Sequence, residues 1–204
     1  MKLLVSLVLC LVVGFASVTD DVASLNVGLN GYILGKKLTT DQLSISKKNT
    51  IKKAVEGTYK FSDGELFIIA SKTDDRVLVI YKDFNKIDNK KAKAILGNSI
   101  LNFGEPTAIA HDKLVYWSYD KNGKKISEDE LKIFKDKIRN KDVTLAETLK
   151  KEYREVKYEP YVTIKFSCSK EIMNRDVVYT DADAYLLYSS NKLIEDMQKK
   201  MTKK

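Results

Sequence analysis

The sequence predicts an α+β protein, a mostly antiparallel sheet that opens with an N-terminal meander and has amphipathic helices packed on it. Three observations lead there. Short apolar runs separated by turn residues crowd positions 58–81, a helical stripe of apolar residues occupies 88–103, and runs rich in aromatic and β-branched residues return at 114–119 and 161–168. With 44% hydrophobic and 31% charged residues among 204, the chain has enough apolar material for a packed core, which excludes wholesale disorder. No linker rich in Pro, Gly or Ser divides it, so residues 17–204 are read as one domain.

The elements follow in chain order. Lys2 precedes an apolar run over 3–13, interrupted only by Ser6, and Gly14-Phe15-Ala16 places small residues where a signal peptidase reads. Residues 1–16 are therefore expected to be a secretory signal peptide cleaved after Ala16. The run is about half the roughly 20 residues a membrane-spanning helix needs. An uncleaved anchor is the alternative. Cys10 follows Leu9 and sits inside the apolar run, so it is read as leader and not as a lipid attachment site. Residues 17–31 are polar and dotted with glycine, and a loose start is expected. Gly31-Tyr32-Ile33-Leu34-Gly35 suggests a short strand. Asn49 is expected to cap a helix that ends at Gly57.

Thr58-Tyr59-Lys60-Phe61 alternates, Ser62-Asp63-Gly64 turns, and an apolar run follows over 65–70; Asp-Gly between such runs is a strong hairpin signal. Lys72-Thr73-Asp74-Asp75 then turns into a third strand over 76–81. The two later strands are expected to be buried on both faces. Asp88 caps a helix whose Ala92, Ile95, Leu96, Ser99, Ile100 and Phe103 form one stripe, ended by Gly104 and Pro106. A strand at 114–119 is turned by Asn122-Gly123. Ser127-Glu128-Asp129-Glu130 and Thr144-Leu145-Ala146-Glu147 are capping boxes for two helices, the first to about Arg139 and the second to about Tyr153. In the strand over 161–168, Val162, Ile164, Phe166 and Cys168 share the apolar face. A final helix is expected from about Asp181 to Met201.

The module from Ala92 to Tyr119 has an amphipathic helix, then Phe103-Gly104-Glu105-Pro106, a short loop and Tyr116-Trp117-Ser118-Tyr119. It resembles the helix, Gly-x-Pro, aromatic-strand module of small exported bacterial envelope proteins of the SmpA/OmlA type. The resemblance implies an envelope protein that works by contact with other proteins and not by catalysis. It transfers no functional residue to this chain.

The chemistry-bearing residues are few. The chain has one His and two Cys, one of them in the leader, so a His-assisted nucleophile would have to use His111, in a polar loop, and a Cys-His pair also Cys168, on an apolar strand face. Neither position suits catalysis. No Gly-x-Ser-x-Gly elbow, phosphate-cradling loop or dinucleotide fingerprint occurs. Asp120-Lys121-Asn122-Gly123 begins like a calcium loop, but its Gly comes too early and no Glu closes it. No metal or other cofactor is expected. Glu65, Asp83, Glu159 and Asp181 are candidates for a carboxylate pair, with no spacing that singles them out.

Basic residues exceed acidic ones by 36 to 28, but only Arg76, Arg139, Arg154 and Arg175 among them are Arg. Lys interleaved with acids describes a solvated surface, not a nucleic-acid reader, which relies on the planar Arg fork. Only the tail, Lys199-Lys200-Met201-Thr202-Lys203-Lys204, concentrates one sign and could touch an anionic surface weakly. Tyrosines and one Trp are dense at 116–119 and 153–161; they are read either as ordinary cross-strand pairs or as a recognition surface. Tyr116, Trp117, Tyr119, Tyr158 and Tyr161 are the candidate binding residues. Trp117 is expected on the core side of its strand, with Val115 and Tyr119, and Tyr116 on the other. The expected function is that of a non-enzymatic periplasmic or secreted protein whose partner is another envelope protein. An exported small-ligand binder or a carboxylate-dependent hydrolase is the alternative.

Overall fold

The computed structural model describes residues 17–52, 54–139 and 159–201. The expected leader, the expected helix after Thr144, the candidate Tyr158 and the last residues of the basic tail lie outside this set. Among the described residues, an eight-stranded antiparallel sheet carries five helices and a two-stranded hairpin. The fold is α+β.

Residues 17–31 are not loose. Ser17 accepts a hydrogen bond from the Asp20 backbone and caps α1 (Val18–Ser24). A small hairpin follows, β1 (Gly28–Leu29) with β2 (Tyr32–Ile33). Val22 is fully buried, which corrects the expectation of a loose start over 17–31, and Tyr32 and Leu34 in the expected short strand are fully buried as well. The Arg76 guanidinium ties this region down by donating to the Gly35 carbonyl at 2.8 Å and pairing with Asp20 and Asp74. Tyr32 adds a hydrogen bond to Asp63 at 2.8 Å.

The expected helix from Asn49 to Gly57 is also corrected. The helix lies earlier, as α2 (Thr40–Lys48), where Thr39 and Gln42 form a reciprocal capping box; Asn49 is its C-cap, and β3 (Thr50–Ile51) follows. The meander is present as β4 (Thr58–Asp63), β5 (Leu66–Ser71) and β6 (Val77–Phe84). Its later strands alternate between buried and partly exposed residues, so only one face is fully buried. Gly64, at φ 57°, supplies the left-handed residue that the β4–β5 turn requires.

Next come α3 (Asn89–Phe103), capped by Asp88 and stopped at Gly104, the edge hairpin of β7 (Ala108–Ala110) and β8 (Leu114–Tyr119), and α4 (Glu128–Arg139). Ser127 and Glu130 form the expected box before α4, each accepting from the other's backbone. β9 (Val162–Cys168) pairs with β8. The expected long final helix is half wrong. Residues 184–189 form a strand, β10 (Ala184–Ser189), and only α5 (Asn191–Met201) is helical.

The sheet order is β3-β4-β5-β6-β10-β9-β8-β7. β10 sits between β6 and β9, joining the N-terminal meander to the C-terminal strands. One cross-strand row, Phe61, Ile68, Ile80, Tyr188, Ile164 and Trp117, runs across six strands and is entirely buried. Val22 of α1, Ala92 and Leu96 of α3, and Leu193 and Met197 of α5 belong to the same core. Each of the larger aliphatic side chains among them contributes roughly 1.5–3 kcal/mol relative to an exposed one.

Candidate functional site

Because side chains alternate along a strand, the residues one step from the buried row face the other way. There the register aligns Ser62, Phe67, Tyr81, Leu187, Lys165 and Tyr116 across the same six strands, and all six are partly exposed. Tyr185 lies next to this row, opposite Asp83 on β6 and Ser167 on β9.

The rings touch. Phe67 and Tyr81 have centroids 5.8 Å apart, and Tyr81 and Tyr185 5.3 Å, both tilted. Lys60 Nζ lies 4.7 Å above the Phe67 ring, and Lys165 Nζ 5.1 Å from Tyr185 and 5.9 Å from Tyr116. The result is a band across the sheet in which three successive aromatic rings, Phe67, Tyr81 and Tyr185, lie between Lys60 and Lys165, with Tyr116 beyond. Cross-strand and cation–π pairs at exposed sites are worth only about 0.2–1 kcal/mol each. That return is small for keeping apolar rings in contact with water.

The phenols differ. Burial, then the Asp83 charge, pushes the Tyr81 phenol above the ordinary tyrosine value. Burial also pushes on Tyr185, but the Lys165 ammonium and the Ser167 hydroxyl outweigh it and hold that phenol below its ordinary value. The band sets phenol groups beside ammonium groups on one face, a surface suited to recognition by packing and polar contact.

The structure separates the candidate residues. Tyr116 lies in the band. Trp117 does not: it is fully buried, its Nε1 donates to the Gly104 carbonyl at 2.8 Å, and its ring meets Phe103 at 5.6 Å. Trp117 is thus a core residue and no binding residue, as its strand parity indicates. Tyr119 faces the helix side, where it borders a cleft of about 270 Å³ with Leu25, Asn26, Val27, Gly28, Phe103, Gly123 and Ile164. Tyr161 is joined to Tyr119 by a backbone hydrogen bond, and its ring lies 5.9 Å from Lys192 Nζ, which pairs with Glu159 at 2.5 Å. Tyr158 lies outside the described residues.

Phe67, Tyr81 and Tyr185 escaped the sequence reading. For Phe67 and Tyr81 the signal was available, since both hold outward positions in strands correctly identified. Tyr185 was hidden because its segment was read as helix.

The four candidate carboxylates do not converge. Glu65 pairs with Lys82 at 3.0 Å, Glu159 with Lys192, Asp83 stands beside Tyr81, and Asp181 is exposed. None of them lines the cleft. His111 is exposed in a left-handed turn at φ 55°, and Cys168 is buried with its Sγ 3.6 Å from the Tyr179 hydroxyl. Among the described residues no cluster of His, Cys, Asp and Glu could hold a metal ion, and no helix is long and apolar enough to cross a membrane. Comparison with known proteins finds no matching family model, no matching curated protein and no matching solved structure.

Proposed function

We propose that this chain is a non-enzymatic exported protein of the bacterial envelope that binds another envelope protein through the outer face of its sheet. One observation carries the reading: the continuous band of Lys60, Phe67, Tyr81, Tyr185, Lys165 and Tyr116. A contiguous, partly exposed aromatic surface ringed by polar groups is the kind of patch that marks protein interfaces. Export rests on the leader-like residues 1–16, and the envelope on the SmpA/OmlA-type module at 92–119. The periplasm or the extracellular space is the proposed location. A hydrolase is less well supported, because the candidate acids have separate partners and separate places.

The test is crosslinking of the tagged native protein in envelope extracts, with Tyr116→Ser/Tyr185→Ser beside it. Both tyrosines are only partly buried, so the double variant should melt within a few degrees of the parent and lose the crosslinked partner. Retention of the same partner by the folded variant would overturn the assignment of the face.

A further inference from the structure

The cleft beside Tyr119 lies on the other side of the sheet from the aromatic band, and the band has no use for it. The chain builds it from three separate regions. Its floor is Ile164, at 1% exposure, and Phe103, whose ring also packs on Trp117 and Tyr188. One wall is the connection between α1 and β1, residues 25–28, where Asn26 adopts a left-handed φ of 54°. The other wall is Tyr119 and the turn that Asp120 closes by accepting from the Asn122 and Lys124 backbones at 2.9 Å. Gly123 holds φ 76° in this turn, and a Cβ there would meet Leu25 Cδ2 at 3.4 Å, so the two walls abut at that point.

We infer that this cleft binds a small neutral molecule, a ring system with a short substituent that bears one hydrogen-bond acceptor. Volume sets the size. A cleft of about 270 Å³ is nearly twice the roughly 150 Å³ cavity that accepts benzene, which corresponds to about 10–13 non-hydrogen atoms. It is too small for a protein element. Charge sets the class: among the described residues no carboxylate, ammonium or guanidinium lines it, and an ion would lose hydration there without a partner. The walls are the apolar side chains of Leu25, Val27 and Phe103, glycine backbone, a single phenol and the Asn26 amide, whose oxygen is already taken by the Lys36 ammonium at 2.8 Å. Tyr119 lines the cleft and is only partly buried, and no buried side-chain donor among the described residues lacks a partner, so its hydroxyl is open to solvent and free to donate to a ligand. Burial keeps that phenol above its ordinary value, so it stays a donor. A ligand carbonyl supplies what the site lacks.

The experiment titrates the purified protein calorimetrically with 2-acetylnaphthalene, with naphthalene, and with 2-naphthoate. The ketone should bind, naphthalene should bind roughly five- to tenfold more weakly for want of one hydrogen bond, and the carboxylate should not bind measurably. Tyr119→Phe, which removes only the hydroxyl, should make ketone and hydrocarbon equal. Val27→Trp should fill the cleft and abolish binding of both, with thermal melting recorded beside it and Leu25→Trp as a second filling variant should the first not fold. No binding of the ketone up to millimolar concentration, or binding that survives a folded filling variant, would overturn the site. A ketone preference unchanged in Tyr119→Phe would overturn the role of the hydroxyl. None of these outcomes bears on the band, whose residues lie on the opposite face.

Discussion

Replacing Trp117 by Ala is the sharpest test of how the sheet and helices are joined. The indole is fully buried at the end of the cross-strand row, against Ile164 on β9 and Phe103 on α3. Truncating a buried Trp removes its transfer free energy and leaves a cavity that the rigid sheet cannot close, about 3–5 kcal/mol. The tilted Phe103 contact adds about 0.5–1.5 kcal/mol that area alone does not count. The lost hydrogen bond adds little, because Gly104 is exposed and its carbonyl can turn to water. The expected loss is therefore in the upper part of that range, about 4–5 kcal/mol, against a total of about 5–15 for a domain of this kind. Urea denaturation followed by far-ultraviolet circular dichroism measures it through the midpoint. Trp117→Phe should cost less than half as much, since it keeps an aromatic ring on Phe103 and forfeits mainly volume and the N–H. A loss under about 2 kcal/mol for the Ala variant would refute the packing argument. A fully stable Ala variant that no longer captures its partner would make Trp117 a binding residue after all.

Two further predictions concern buried groups. Cys168, at 3% exposure on the core face of β9, should resist a thiol reagent in the native state and react once denaturant is added; rapid native labelling would mean that β9 is turned over. The second is alkaline stability. Burial raises the Tyr188 phenol to about 12, and burial with a carboxylate partner raises Tyr32 and Tyr59 as well, from an ordinary value near 10. A proton held more tightly in the folded state means that stability is intact below pH 10 and falls as pH rises from 10 toward 12. Ultraviolet titration at 295 nm should show these tyrosines ionising together with unfolding, and smooth ionisation in a chain that stays folded would contradict their burial.

Much of the fold is written in local pattern. The stripe of α3 with its Asp88 cap and Gly104 stop, the Asp-Gly turn of the meander, the box before α4 and the alternation of β9 each need only neighbouring residues to form, and each is found where its residues indicate. The parity of β8 alone places Val115 and Trp117 inward. Other parts depend on partners distant in sequence. The segment from Ser17 to Tyr32 is polar by composition but held by Arg76 and Asp63, 56 and 31 residues away from Asp20 and Tyr32.

β10 is the clearest case. Ala184-Tyr185-Leu186-Leu187-Tyr188-Ser189 continues into an apolar spacing, Leu193, Ile194, Met197, that suits a helix equally well. Local propensity cannot separate the two, because strand preference reflects what lies alongside the strand. The deciding fact is the gap between β6 and β9. A strand there satisfies both flanking edges with hydrogen bonds while it puts Leu186 and Tyr188 into the core, and a helix would leave both edges unpaired. The aromatic band follows from the same step. Tyr116 and Tyr81 are visible on separate strands in the sequence, but only β10, slotted between β6 and β9, brings Tyr185 and Lys165 between them and turns isolated tyrosines into one surface.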